Sequence, residues 1–231
     1  MRQPTLILCA HGTADPAGQA VIAELAAATA VALPHASVQL AYVDVQQPTI
    51  AAAVTGSVGS GPVVVVPALL STGYHVQVDI AAAVAAHSRA VATDALGPDP
   101  ALAELLLIRL AETGCAPEDP VVLAFAGSSR PEAAGSAEAM RVMLAAARPG
   151  PVISGFGAAA SPSVPEAVVA ARSAGHGRPV SVAAYLLAPG LFHRRLHAAG
   201  ADRVSAPLGA APQLVDIVVR RHREGVERLA G

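Results

Sequence analysis

The stretch Leu6-Ile7-Leu8-Cys9-Ala10-His11-Gly12-Thr13 decides the fold: an apolar run of strand length stops at an imidazole followed by a glycine. Two later stretches repeat the pattern. Ala41-Tyr42-Val43-Asp44 ends on a carboxylate, and the run Val63-Val64-Val65-Val66-Pro67-Ala68 leads through Leu69-Leu70-Ser71-Thr72-Gly73-Tyr74 to His75. As three strands of one parallel sheet, these segments project His11, Asp44 and His75 from a single carboxyl edge. That is the edge at which open α/β sheets bind ligands.

Working outward from these runs, short β-rich segments alternate with longer Ala-rich helical ones, the pattern of successive βα units. Strands are expected near Thr5–Ala10, Val38–Val43, Val63–Ala68 and Val91–Thr93, and again near Val121–Phe125, Val152–Phe156, Val180–Leu186 and Val204–Ala206. Helices are expected at Ala17–Leu33, Thr49–Ser57, Val76–Ser88 and Pro100–Thr113 in the first half. The two halves also read as a repeat. Leu96-Gly97-Pro98-Asp99-Pro100-Ala101-Leu102 aligns without gaps on Leu208-Gly209-Ala210-Ala211-Pro212-Gln213-Leu214, and both open a long terminal helix. His11-Gly12-Thr13 aligns on Ala126-Gly127-Ser128, and Leu69–Gly73 on Leu186–Gly190, with His75 and His193 close behind. The expected architecture is therefore two similar α/β domains, residues 1–115 and 116–231, each with a four-stranded parallel sheet flanked by helices. The turn-rich segment Thr113–Pro120 joins them.

Composition narrows the function. With 231 residues, 53% of them hydrophobic, the chain can bury a full core, and with only 3% aromatic residues that core is built of Ala, Val and Leu. All fifteen cationic residues are Arg, so the phosphate-gripping Lys of a P-loop has no candidate. A net charge of −2 without a basic run argues against nucleic acid or an anionic membrane as partner. Met1–Ala10 lacks the layout of a signal peptide and no apolar run reaches membrane-spanning length, so a cytoplasmic protein is expected. Cys9 and Cys115 are isolated and indicate neither a disulfide framework nor a thiolate zinc site.

His11, Asp44 and His75 carry the chemistry. Two imidazoles and a carboxylate on one edge can hold a borderline divalent ion or move protons near neutral pH. Metal insertion into a tetrapyrrole requires both, because two pyrrole N–H protons must leave while the hydrated ion sheds water. Taken singly, a His at a strand end is more often a capping or hydrogen-bonded residue than a ligand, and it is the coincidence of three strand-end positions that points to a site. His35, His87, His176, His197 and His222 are expected at helix ends or in polar loops. Tyr42, Tyr74 and Tyr185 can stack on a macrocycle, but a core position with a hydrogen-bonded hydroxyl is the expectation.

His11-Gly12-Thr13, then Tyr42-Val43-Asp44 followed by Gln47-Pro48-Thr49-Ile50, then Gly73-Tyr74-His75-Val76-Gln77-Val78-Asp79-Ile80 together resemble the sirohydrochlorin chelatase family. In order and spacing they are similar to its H-G-S/T, aromatic-x-[ED]…E-P-x-I and G-x-H-x-x-x-D-I motifs. The match is close in the first half and loose in the second, as in the long, internally duplicated form. The resemblance implies a chelatase-like fold of two α/β domains around a cleft, and ATP-independent insertion of Co²⁺ or Fe²⁺, the metal being substrate and no organic cofactor being needed. It places His11, Asp44 and His75 in catalysis, with His11 and His75 handling the metal. Asp44 stands where Glu is common, and Gln47 where Glu often precedes the proline. In the second half Ala126 replaces the first imidazole, Ala158 lies near the position of Asp44, and His193 is retained, which suggests one catalytic half and one that walls the cleft.

The implied substrate is a polycarboxylate, and Arg130, Arg194 and Arg195 at second-half strand ends are candidates to grip it bidentately. Backbone N–H groups at Ser71, Thr72 and Gly73, and at Ser128–Arg130, are an alternative anion seat, and His193 a further substrate contact. The internal pseudo-dimer is compatible with a monomer. Two rivals remain open: a histidine phosphatase or mutase, weakened by Ala10 where R-H-G-x-T needs an arginine, and a carrier that binds metal or tetrapyrrole without turnover.

Overall fold

A computed structural model describes residues 3–71, 74–128 and 131–230; the side chains of residues 74–77, 131 and 132 lie outside that description. The chain forms two compact units. One comprises Met1–Leu96 with Ala210–Gly231, and the other Gly97–Gly209.

The first unit contains β1 (Thr5–Ala10), α1 (Pro16–Ala32), β2 (Val38–Tyr42), α2 (Ile50–Val58), β3 (Val63–Pro67), α3 (Tyr74–Ala85) and β4 (Ala90–Ala92). Its four strands are all parallel, in the order β2-β1-β3-β4. Every residue of β3 and all but the first of β1 are buried, as a sheet covered on both faces requires. Ile7, Cys9, Val63 and Val65 pack with Ile50, Ala53, Val54, Ile80 and Ala83 of α2 and α3. The opposite face is covered by α1 and by the chain's last helix. Local chemistry sets the helix starts: Asp15 accepts from the Ala17 N–H ahead of Pro16, and Thr49 accepts from the Ala52 N–H.

The second unit contains α4 (Pro100–Ala111), β5 (Val121–Phe125), α5 (Pro131–Ala146), β6 (Val152–Phe156), α6 (Val164–Ala174), β7 (Ser181–Ala184), α7 (Leu191–Leu196) and β8 (Arg203–Val204). The strand order β6-β5-β7-β8 repeats that of the first sheet, again all parallel. Val122, Ala124, Val180 and Val182 pack with Val164, Ala167, Val168 and Ala171 of α6. Ser163 and Glu166 close that helix's N-terminus with a reciprocal capping box.

The fold class and both four-stranded sheets are as expected, and the strands begin and end within a few residues of expectation. The division of the chain is not. The final helix α8 (Pro212–Ala230) packs on β3, β4 and α1 of the first unit, while α4 packs on α5 and β7 of the second. The repeated segments at 96–102 and 208–214 are where the chain passes from one unit to the other, so the structural boundaries fall there and not at 115/116. Close packing holds α8 in place: a Cβ on Gly225 would lie 2.4 Å from Val64 Cγ1. His222, expected at a helix end or in a polar loop, is fully buried inside this helix, and its Nε2–H donates to the Pro4 carbonyl at 3.1 Å. The segment Thr113–Pro120 is not a free linker either. Buried Arg148 donates to the carbonyls of Ala116, Pro117 and Asp119, and the Asp119 carboxylate pairs with Arg203 at 3.1 Å, all within the second unit.

Candidate active site at the carboxyl edge of the first sheet

In the order β2-β1-β3-β4, the connection from β1 turns to one side and the chain then returns past β1 to β3. This makes the carboxyl end of β1 a topological switch point, where the loops diverge and leave a crevice. His11 follows β1 directly, and its side chain is exposed. Asp44, also exposed, follows β2 by two residues, and its N–H donates to the His11 carbonyl at 2.9 Å. The Val43 N–H donates to Ala10 O at 3.0 Å, so the parallel ladder runs on past both strand ends and carries the two chemical residues with it.

Gly12 makes this approach possible. It has φ +100°, and a Cβ there would stand 1.9 Å from the Asp44 carbonyl oxygen. The glycine of the His11-Gly12-Thr13 run therefore lets two loops interlock. Around it the Thr13 N–H donates to Gln46 Oε1 at 3.0 Å, Gln19 Nε2 donates to Thr13 O at 2.8 Å, and the Asp15 N–H donates to Thr13 Oγ1 at 3.1 Å. Asp44 Oδ1 accepts from the Val45 N–H at 2.7 Å, where Val45 takes φ 63°. His11 and Asp44 thus project from a backbone fixed by six hydrogen bonds. Gln46 was not singled out in the sequence, because a glutamine two residues beyond an acid carries no local signal. It acts as a positioning residue.

His75 is the second residue of α3, which follows β3, and β3 pairs with β1, so the backbone brings this position to the same edge. The side chain of His75, and all of Thr72 and Gly73, lie outside the described residues; Ser71 is half-buried at the preceding bend. Asp79, one turn further along α3, is exposed, and its charge reaches Cys9. Burial, and secondarily that carboxylate, push the Cys9 thiol up to about 12. Cys9 is therefore protonated at neutral pH and serves as a core residue rather than a thiolate ligand. Among the described residues no group of three or more His, Cys, Asp or Glu is gathered to hold a metal ion.

The second unit copies the scaffold and changes the chemistry. Gly127 has φ +95°, and its Cβ would stand 1.9 Å from the Ala158 carbonyl oxygen, as Gly12 does with Asp44. Ala159 matches the positive φ of Val45 at 57°, and Ser161-Pro162 matches Gln47-Pro48 as a cis bond. Ala126 and Ala158 accordingly occupy the positions of His11 and Asp44. By helix position the counterpart of His75 is Phe192, second in α7, and not the nearby His193 that the sequence reading took as the retained imidazole. The His193 Nε2–H donates to the Ser205 carbonyl at 3.0 Å. Arg194 and Arg195 lie on α7 rather than in a loop and are exposed, whereas Arg130 lies outside the described residues.

Comparison with known proteins follows this geometry. The sequence model of the CbiX family matches residues 5–113 and 120–225. Among solved structures, the chain is similar to SirB from Bacillus subtilis with Fe³⁺, at 21% identity and TM-score 0.82, covering 99% of this chain and 98% of that one. It is similar to the sirohydrochlorin chelatase SirB from Bacillus subtilis subspecies spizizenii in complex with cobalt, at 20% identity and TM-score 0.78, covering 98% and 96%. It is also similar to CbiX described as the terminal enzyme for biosynthesis of siroheme in denitrifying bacteria, at 22% identity and TM-score 0.65, covering 95% and 98%. At these identities the structures establish the shared fold. Comparison with curated proteins gives no match.

Proposed function

Because the chain belongs to the CbiX family, we propose that it is a sirohydrochlorin chelatase that inserts Co²⁺ or Fe²⁺ without ATP, serving cobalamin or siroheme formation. The observation that carries the reading is the fixed juxtaposition of exposed His11 and Asp44 at the switch point of the first sheet. The exposed His11 imidazole can accept a pyrrole N–H proton on a ring nitrogen and release it to solvent. The Asp44 carboxylate stabilises the imidazolium that forms and draws the cation toward the same edge. His75, whose backbone position shares that edge, is the second imidazole for proton removal and metal delivery. Imidazole and carboxylate accept several first-row ions, so availability and geometry, rather than ligand identity, choose between cobalt and iron.

The second unit, with Ala126 and Ala158 at the matching positions, binds the tetrapyrrole and takes no part in proton removal. Exposed Arg194 and Arg195 on α7 are the groups proposed to grip substrate carboxylates. No helix among the described residues is long and apolar enough to cross a membrane. The test is an absorbance assay of the purified chain with sirohydrochlorin and Co²⁺, Fe²⁺ or Ni²⁺ in turn. Metal-dependent spectral conversion faster than the spontaneous reaction is expected with Co²⁺ or Fe²⁺. Conversion at the spontaneous rate with every ion refutes the proposal, and tight tetrapyrrole binding without acceleration selects a carrier instead.

A further inference from the structure

The chain has three tyrosines, three phenylalanines and no tryptophan, and all six lie at the carboxyl ends of strands or in the segments that follow them. Tyr42 and Tyr74 belong to the first unit. Phe125, Phe156, Tyr185 and Phe192 crowd the second. Phe125 stacks on Phe156 with centroids 5.5 Å apart and planes at 24°, and meets Tyr185 edge-on at 5.2 Å. Phe125 and Tyr185 are buried, while Phe156 and Phe192 are only half-buried, so two rings form a base and two leave apolar surface at the edge. Phe192 reaches the loop after β6 because that loop has a glycine: a Cβ on Gly157 would lie 2.9 Å from the Phe192 ring and 3.2 Å from the Ala126 carbonyl.

Packing alone does not explain this placement, since among the described side chains the first unit completes the same backbone edge with one ring, buried Tyr42 at the end of β2. The repeat has kept the scaffold, down to the interlocking glycine, and replaced every proton-carrying position by an apolar one: His11 by Ala126, Asp44 by Ala158, His75 by Phe192. We propose that Phe156 and Phe192 are the seat for the flat face of the tetrapyrrole, and that they set its affinity without entering the chemistry. The surroundings match such a ligand in charge as well as shape, because exposed Arg195 stands one turn beyond Phe192 on the same short helix, a cationic border to an apolar seat, as a conjugated ring rimmed by carboxylates requires. This inference rests on the chelatase reading.

The experiment is equilibrium titration of the intact chain with metal-free sirohydrochlorin, followed by absorbance, together with insertion kinetics. Phe192→Ala and Phe156→Ala are each expected to raise Kd and KM about tenfold, equivalent to about 1.4 kcal/mol, with kcat at saturating tetrapyrrole kept. Phe192→Tyr, which retains the ring, is expected to stay within about twofold of the unaltered chain. Gly157→Ala, which displaces the ring without removing it, should weaken binding as Phe192→Ala does. If Phe192→Ala fails to fold, Phe192→Leu, which keeps bulk but not the ring, carries the same expectation. Folded variants that bind as tightly as the unaltered chain, or that lose kcat while Kd is unchanged, overturn the assignment alone. An unaltered chain that does not bind sirohydrochlorin overturns it together with the chelatase reading.

Discussion

Gly12→Ala is the sharpest test of the interlocked edge, and Gly127→Ala is its built-in control. In the first variant the new Cβ would fall 1.9 Å from the Asp44 carbonyl oxygen at a backbone φ of +100°, so the His11 and Asp44 loops must separate. Holding a non-glycine residue at such a φ costs about 1–3 kcal/mol, and losing the bond from the Asp44 N–H to His11 O adds about 1 kcal/mol. The sum is about 2–4 kcal/mol. For a chain of this size each kcal/mol shifts the unfolding midpoint by about 2–4 °C, so a fall of roughly 5–15 °C is expected. Gly127 meets Ala158 O at the same 1.9 Å, and its substitution should cost a similar amount in the other unit. The two variants should part in catalysis. Measured well below either midpoint, Gly12→Ala should lower the maximal insertion rate at least about tenfold by moving His11 against Asp44, whereas Gly127→Ala should leave it within about twofold. Scanning calorimetry and the absorbance assay read the two quantities separately. An unchanged midpoint for Gly12→Ala refutes the close approach, and an equal loss of maximal rate in both variants refutes the assignment of the chemistry to the first edge.

Three further outcomes are expected. His11→Ala should lower the insertion rate about 10²–10⁴-fold with little change in thermal midpoint, because the side chain is exposed; a folded variant turning over normally removes His11 from the mechanism. Asp44→Asn keeps an oxygen for the Val45 N–H and deletes only the charge, so the maximal rate should drop more than tetrapyrrole affinity, and the reverse pattern would make Asp44 a substrate-holding residue. Buried His222 has its pKa lowered chiefly by desolvation, against the raising effect of its bond to Pro4, so between its folded and unfolded values the unfolded chain binds more protons. Its contribution to stability is whole above about 6.5, the ordinary histidine value, and is lost as pH falls through that value toward the lower folded one; His222→Gln should flatten this acid slope of the unfolding midpoint, and an unaltered slope assigns the acid sensitivity elsewhere.

The sheets were legible because parallel strands buried on both faces read as unbroken apolar runs, and their carboxyl ends were marked where those runs met His11, Asp44 and Gly12. The placement of His11 and Asp44 at one sheet edge was legible to the same extent. What could not be read is which sheet each terminal helix covers. α4 and α8 open on nearly the same segment, and an apolar helix face fits the home sheet and its twin equally, so local pattern carries no information about the exchange. His222 was misplaced for the same reason: only the packing of α8 against the first unit buries it. His193 drew attention as a histidine near the right place, yet helix register gives the equivalent position to Phe192. The gapless alignment of Leu69–Gly73 on Leu186–Gly190, carried two residues further, already points to Phe192.

The exchange of terminal helices also sets an order of events on the ribosome. Synthesis usually lets an N-terminal domain fold first, but here the first sheet is made early and its covering helix α8 is made only after the whole second unit. The second unit, one continuous segment from Gly97 to Gly209, has all its parts before α8 is translated. Until then Val64 and the face around it stand uncovered, because the helix that closes over them through Gly225 has not been made. The half that emerges first is therefore the half that finishes second, and the residues assigned to the chemistry acquire their finished scaffold only after α8 has been made.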